Sequence, residues 1–313
     1  MRIFLAGAAG AVGRRLVPIL RAAGHEVVGT TTSESKVELV RAAGAEPVVL
    51  DALDGAAVRK AVEQARPDVV VHELTALSGP ANVKKPDESF ALTNRLRTEA
   101  IDHLIAAARS VGAKRLIAQS FTGWPNPRTG SWVKTEDDGL DPQPVTVTKE
   151  TLRAIGYLED AVTSAPGLAG LALRYGMLYG PGTGWSVGGE QLEMIRARKL
   201  PVGGGGAGVW SFVHIDDAAS ATVAALEHGT PGVYNIVDDE PAPVSEWLPY
   251  LARAMGAKPP MRLPGWLVKP MVGAAGMSMM TAVRGSSNAK AKRDLGWTPS
   301  YASWREGFRT GLG

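Results

Sequence analysis

The chain reads as an α/β protein in which helices cover both sides of a parallel sheet, followed by a smaller C-terminal lobe. Three observations lead there. Short apolar runs alternate with helical patterns through the first half of the sequence, which is the signature of βαβ units. Several of those runs, such as "DVVVH" and "RLIA", are continuously apolar, as strands buried on both faces must be. A glycine-rich turn, "GAAGAVG", stands between the first such run and the first helical pattern.

The elements follow in order. "RIFLA" at 2–6 is a strand, and a helix runs from Ala11 to Ala23 with Val12, Leu16, Ile19 and Leu20 on one face. "HEVVGT" is a second strand. "SESKVELVRAAG" is a helix with Ser33 at a capping position and a stop at Gly44. "AEPVVLD", the helix "DGAAVRKAVEQA" and the strand "PDVVVHEL" come next, then a long helix over about 88–111 and the strand "AKRLIAQS". A helix over 148–164 puts Leu152, Ile155, Leu158, Glu159 and Val162 on or near one face, and "LAGLALRYGMLYG" supplies a sixth strand. Beyond residue 180 Gly and Pro become frequent. Residues 1–180 therefore read as a nucleotide-binding domain whose sheet is completed by later segments, and 181–313 mainly as a substrate lobe.

Composition sets the outer limits. The 313 residues are 45% hydrophobic and 21% charged, ordinary for a globular chain. The net charge of +3 is spread without a basic run, so no nucleic-acid partner is expected. With no cysteine, disulfides and thiolate chemistry are excluded, and a cytoplasmic location is expected. The apolar stretch 263–283 is interrupted by Lys269, Pro270 and glycines, so it reads as a lobe helix or lid rather than a membrane span. No metal site is expected.

In "GAAGAVG", Gly7, Gly10 and Gly13 have the spacing and the strand–turn–helix setting of a dinucleotide-binding loop. Ala9, Ala11 and Val12 share that loop, and the free N–H groups of the helix start face the phosphates. At the end of the second strand an NAD enzyme places Asp or Glu. Here stand Thr30, Thr31, Thr32 and Ser33, followed by Glu34 and Lys36, with no acid at the strand end itself. Small hydroxyl residues and a cation leave room for a 2′-phosphate, so NADP is the preferred cofactor and NAD the alternative.

With these motifs the chain resembles the extended, or atypical, short-chain dehydrogenase/reductases of the NAD-dependent epimerase/dehydratase group. The resemblance rests on "GAAGAVG", "VVLDALD", "VVVHELTAL", "LALRYGMLYGPGT", "FVHIDDAASA", "GVYNIVDDEP" and "AKAKRDLGWTPSYASWREGF". It implies a Rossmann sheet with a C-terminal substrate lobe. It also implies Asp51 and Ala52 flanking the adenine, Leu74 along the cofactor, Arg174 anchoring a loop over it, and a homodimer formed through the helices on either side of the fifth strand. The family's catalytic group is a Ser or Thr after that strand with a Tyr-x-x-x-Lys, in which the lysine brings a tyrosine of ordinary pKa near 10 into working range.

That motif is absent. Four residues after Tyr157, Tyr175, Tyr179, Tyr234, Tyr250 and Tyr301 stand Ala161, Tyr179, Thr183, Asp238, Ala254 and Arg305. In one register Lys149 is the family lysine and Val145 replaces the tyrosine. In the preferred register Thr151 replaces the tyrosine and Ile155 the lysine. Ser120 and Thr122 are candidates for holding a substrate oxygen. Tyr175 and Tyr179, assigned to the loop after the sixth strand, and His72 and Glu73 at the end of the fourth are the candidate replacements for the proton donor, whereas Tyr157 reads as a packing or dimer residue. Trp124, Trp132 and Trp185, with Met261, Met271, Met277, Met279 and Met280, suit a hydrophobic or aromatic small-molecule substrate, or else form the lobe core. The functional expectation is an NAD(P)-dependent oxidoreductase or epimerase-like enzyme with an unorthodox donor. The alternatives are an NADP(H) sensor without turnover and a non-redox lyase or dehydratase.

Overall fold

The computed structural model describes residues 1–77 and 82–313. The first half builds strand–helix units. Strands β1 (Arg2–Ala6), β2 (Glu26–Thr31), β3 (Glu46–Val49), β4 (Val69–His72) and β5 (Arg115–Phe121) are followed by the two-residue β6 (Val133–Lys134) and by β7 (Ala169–Tyr175). Helices α1 (Ala11–Ala22), α2 (Val37–Ala42) and α3 (Gly55–Ala65) connect the first four strands. The main sheet has seven strands, all parallel, in the order Gly232–Ile236, β7, β5, β4, β1, β2, β3. The chain order reverses between β1 and β4, which opens a crevice at their carboxyl ends.

The apolar runs explain why this sheet is central. Phe4, Leu5, Val70, Val71, Leu116 and Ile117 are all wholly buried. Alternate residues feed two cores. One packs β1, β4, β5 and β7 against α1 and the helix Ile215–Glu227. The other packs β1, β2, β4 and β5 against α3 and two later helices, α6 (Ile101–Ser110) and α7 (Lys149–Thr163). A third core lies in the C-terminal lobe around Trp247, Phe212, Trp304 and Phe308.

Several local readings change. The long helix expected over 88–111 is broken into α4 (Pro86–Ser89), α5 (Ala91–Arg95), a π-helical turn Leu96–Ala100, and α6. A π turn inserts one residue into the helical ladder and re-aims the side chains around it. Ile19 is 37% exposed and Val17 takes its place in the core, because the contact stripe of α1 keeps Val12, Leu16 and Leu20 and widens toward Gly13 and Val17. Ser33 does not cap its helix; its hydroxyl pairs with Ser35 instead. The sixth strand is two strands, β7 and Met177–Tyr179, split by Gly176, whose Cβ would lie 2.7 Å from the Ser211 carbonyl. Residues 263–283 form a lobe helix, Gly265–Thr281, kinked at Gly273. Among the described residues no helix is long and apolar enough to cross a membrane, and no group of three or more His, Asp or Glu could hold a metal.

Candidate active site

The glycine loop closes directly over the ends of β1 and β4. Gly7 has φ +101°, and a Cβ there would meet the Glu73 carbonyl at 2.7 Å. At Gly13 a Cβ would meet the Gly7 carbonyl at 2.3 Å. Thr30 Oγ1 accepts from the Gly7 N–H at 3.1 Å and ties the loop to β2. Gly10 forms the N-cap of α1 without any side-chain capping bond, so the first-turn N–H groups stay open to an anion. The loop is thus a cradle of bare backbone, and it fits a pyrophosphate. Ala9 and Ala11 are half-buried beside it and Val12 is buried beneath.

The remaining cofactor candidates ring the carboxyl ends of the strands. Thr31 closes β2 and accepts from the Ser33 N–H at 3.2 Å, while Thr32 and Lys36 are exposed just beyond. Asp51 is exposed and Ala52 buried after β3, and Leu74 is half-buried after β4. When bound, a nicotinamide dinucleotide would supply hydride.

Thr151, the residue that the preferred register sets against the family tyrosine, lies in a polar cluster. The buried Thr151 donates to Asp87 Oδ1 at 2.7 Å and accepts from Asn94 Nδ2 at 3.1 Å. Asp87 also accepts the N–H groups of Thr151 and Glu150 at 2.8 and 3.2 Å. A carboxylate from α4 therefore caps α7 in place of a residue of α7 itself. Ile155, one turn on, is wholly buried. Lys149 is exposed at the helix start, away from this buried face.

One turn further, Glu159 gathers three donors. Ser120 Oγ donates to Oε1 at 2.7 Å, Arg174 Nε to Oε1 at 2.7 Å and Arg174 Nη2 to Oε2 at 2.6 Å. Arg174 and Glu159 are 4% and 5% exposed. The structure therefore ties Ser120 and Arg174 to a buried carboxylate behind the strand end, with Ser120 turned inward. Thr122 is likewise engaged, sharing its hydroxyl with Asn126 at 3.2 Å and Ser286 at 2.6 Å.

The alternative donors are enclosed. Tyr175, the last residue of β7 rather than a loop residue, donates to Glu73 Oε1 at 2.8 Å and meets Thr222 Oγ1 at 2.6 Å. Burial, then the neighbouring Glu73 charge, pushes its phenol well above the ordinary range. Tyr179 belongs to a short strand, not a loop, and lies in the lobe core edge-on to Phe212, His214 and Phe308. Its hydroxyl is buried without a partner, and burial raises its pKa. His72 is wholly buried, with Nε2 against the Leu96 carbonyl at 3.1 Å and Nδ1 unpartnered. Desolvation lowers its pKa. None of these groups stands at an open surface in reach of a ligand.

Glu73 is the exception in charge state. Burial pushes its carboxyl up from 4.5 to about 8, against the lowering effect of the Tyr175 hydrogen bond. The native state thus keeps a proton that the unfolded chain loses. That contribution is complete below pH about 4.5, fades as the pH rises through about 8, and is constant beyond. Urea midpoints should therefore fall between pH 5 and pH 8, and Glu73→Gln should flatten the decline. Identical profiles for the two proteins would show that water reaches the carboxyl.

Beyond the strand ends lies a narrow crevice of about 10 Å³, lined by Phe121, Trp124, Met177, Trp210 and Met279 among others. Of the tryptophans expected at the substrate, Trp124 is on this wall. Trp185 is packed in the lobe core against Trp210 and Trp247, and Trp132 is 45% exposed beneath the Arg284 guanidinium. Met279 is the one methionine of the late cluster on the wall, and Met280 is buried in the lobe. His214 is structural: Nε2 meets the Gly311 carbonyl at 2.9 Å and Nδ1 accepts from the Asp216 N–H at 3.2 Å.

Three polar residues of the site escaped the sequence reading: Asp87, Asn94 and Arg97. Asp87 and Asn94 bond Thr151 on α7 and Arg97 donates to Asn94 at 3.5 Å, and no local spacing signals them. The comparisons complete the assignment. The model of the NAD dependent epimerase/dehydratase family matches residues 3–237. The chain belongs to that family. It is 47% identical to a 3-diazoavenalumate denitrifying reductase from a Streptomyces species, over 98% of this chain and 99% of the relative. It is 30% identical to the dTDP-4-dehydrorhamnose reductase of Streptomyces griseus, over 82% and 77% of the two chains. The fold is that of the UDP-glucose 4-epimerase of Thermotoga maritima, with TM-score 0.77 at 22% identity over 100% of this chain and 97% of that one. This family member is an NAD(P)-dependent oxidoreductase of the short-chain dehydrogenase/reductase superfamily, with Thr151 and Ile155 inside the helix that would carry the usual pair.

Proposed function

We propose that the protein is an NADPH-dependent denitrifying reductase that replaces the diazonium group of an aromatic compound by hydrogen. The missing proton donor carries this reading. Hydride addition to a carbonyl leaves an alkoxide, and a positioned acid must protonate it. Hydride addition to an aryl diazonium, Ar–N2⁺, consumes the positive charge. The new C–H bond forms, the C–N bond breaks, N2 leaves with its electron pair, and the reduced nicotinamide is oxidised. No proton is taken up, so no tyrosine–lysine pair is required. The Streptomyces relative is named for a diazo substrate and for loss of nitrogen. Phe121, Trp124 and Trp210 beside the strand ends supply the aromatic surface against which an aryl ring packs.

The preference for NADPH rests on Thr31, Thr32, Ser33 and Lys36 at and after the end of β2, where the strand end itself carries no carboxylate and the first one, Glu34, comes three residues later. The proposal includes a homodimer through the α5–α6 and α7 surface. Tyr157 on α7 is 43% exposed there and bonds Asp102 on α6 at 2.6 Å, and Leu92 on α5 is 50% exposed.

The test mixes the protein with a substituted arenediazonium and NADPH or NADH carrying deuterium at C4. We expect loss of the 340 nm absorbance, evolution of N2, and one deuterium on the carbon that bore nitrogen, all absent with heat-denatured protein. Light scattering on the same sample reads the dimer. Oxidation of NADPH by carbonyl compounds but not by the diazonium would reverse the reading.

A further inference from the structure

The lobe helix Gly265–Thr281 has an apolar face that the fold leaves bare. In its first half, before the kink at Gly273, Trp266, Leu267, Pro270 and Met271 are all exposed, Trp266 to 73%. At about 100° per residue they span an arc of about 140°. Val268, on the opposite side, is wholly buried, and a Cβ on Gly203 would lie 3.0 Å from its Cγ1. One side of this half-helix is therefore fixed to the lobe, and the other presents large hydrophobic side chains to solvent. Met261, just before the helix, is exposed as well. Single exposed hydrophobics are ordinary, but Met261, Trp266, Leu267 and Met271 fall in one short stretch. A helix that is apolar on every side normally lies inside a protein, and covering such a face recovers free energy.

The charge in this part of the chain is of one sign. Between Glu246 and Asp294 the sequence has eight Lys or Arg and no Asp or Glu. The whole chain nets only +3, so the remainder is net negative and the positive charge is concentrated here. Lys258, Arg262 and Lys269 are exposed in the same stretch as the apolar residues. A Cβ on Gly273 would meet Lys84 Cα at 3.3 Å, so the exposed Val83 and Lys84 adjoin the kink from another part of the chain. These facts choose among occupants. A second copy seated symmetrically would set the same cations against one another. A protein partner is met with about one hydrogen bond per 100–200 Å², yet the indole N–H of Trp266 is the one strong side-chain donor on the arc. A bilayer surface needs no such bonds. It takes Trp at the headgroup level, apolar side chains below it, and cations against anionic lipid.

We propose that the first half of this helix is a peripheral docking surface for an anionic phospholipid bilayer. Trp266, Leu267 and Met271 enter the headgroup–acyl boundary, and Lys258, Arg262 and Lys269 meet the lipid phosphates. The second half of the same helix supplies Met279 to the crevice wall, which puts the docking surface and the crevice on one element. The proposal rests on neither the diazonium nor the dinucleotide.

Sedimentation of the intact chain with vesicles tests this, using phosphatidylcholine alone or mixed with phosphatidylglycerol. The protein should pellet with the mixed vesicles and not with phosphatidylcholine alone, and added salt should release it. Trp266→Ala should weaken vesicle binding by about tenfold or more, the loss of one large apolar side chain from the contact. Lys269→Glu should weaken it by about tenfold or more as well, since it removes one attraction and adds one repulsion. Both positions are exposed, so the melting temperature should match the parent's in each variant. No binding to the mixed vesicles would overturn the proposal, as would equal binding to both vesicle types or binding unchanged in both variants. Self-association in light scattering that Trp266→Ala abolishes, without vesicle binding, would overturn it in favour of a second copy of the chain.

Discussion

Glu159→Ala is expected to lower the unfolding free energy by about 3–5 kcal/mol, the range for stripping one partner from a buried ion pair. The magnitude follows from burial. Arg174 and Glu159 are 4% and 5% exposed, so water cannot replace the lost carboxylate. Three hydrogen bonds go at once, from Ser120 and from two nitrogens of Arg174. Arg97 loses the anion that offsets its desolvation. The chain would then bury two guanidinium groups without a counter-charge. Replacing Arg174 and Glu159 together by Met and Leu should be less damaging than Glu159→Ala alone, because no orphaned charge remains. Chemical denaturation of the three proteins measures both statements. A loss below about 1 kcal/mol, the ordinary worth of a solvent-exposed pair, would mean that water enters behind β5.

Gly7→Ala is expected to weaken dinucleotide binding by roughly ten- to a hundredfold, with a smaller effect on folding. Gly7 has φ +101°, and its added Cβ would sit 2.7 Å from the Glu73 carbonyl oxygen and 2.9 Å from its carbon. Neither atom can swing aside, since both belong to the backbone leaving β4. The loop must lift from the sheet edge, and a strain of roughly 1–3 kcal/mol would be taken from the nucleotide complex, where each 1.4 kcal/mol is about tenfold in affinity. The shift also moves the Gly7 carbonyl, which accepts from the Gly10 N–H at 2.9 Å and sets the entry of α1. Fluorescence titration with NADPH compares the two proteins, and parent-like affinity in the variant would mean that the cradle is not the phosphate site.

Both variants bear on the same question of legibility. The glycine loop was readable because its information is local. Seven consecutive residues follow a buried strand and open a helix, and the physical demand on each glycine is set within that turn. The parallel sheet was readable for a similar reason: Val69, Val70 and Val71 and Leu116, Ile117 and Ala118 are apolar at every position because both faces are covered. The face of α7 was also legible, since Leu152, Ile155, Leu158, Glu159 and Val162 recur at helical spacing and all five are buried.

The helix after β4 was misread as unbroken because a π turn leaves no mark in hydrophobic periodicity. Tyr175 and Tyr179 looked available for chemistry because they follow a strand and precede glycines. Packing decides otherwise: one hydroxyl is captured by Glu73 and Thr222, the other ring is locked among Phe212, His214 and Phe308.

What the sequence by itself determined is the parallel α/β fold, the dinucleotide cradle and the absence of a Tyr-x-x-x-Lys pair, because each is written in a short window with a fixed period or spacing. What only the tertiary structure decided is the polar wiring of the site. Asp87 meets Thr151 across 64 positions, Tyr175 meets Glu73 across 102, and Arg174 meets Glu159 across 15. The physical reason is that a buried polar group must find its partner wherever the fold brings one, and sequence separation places no limit on where that is.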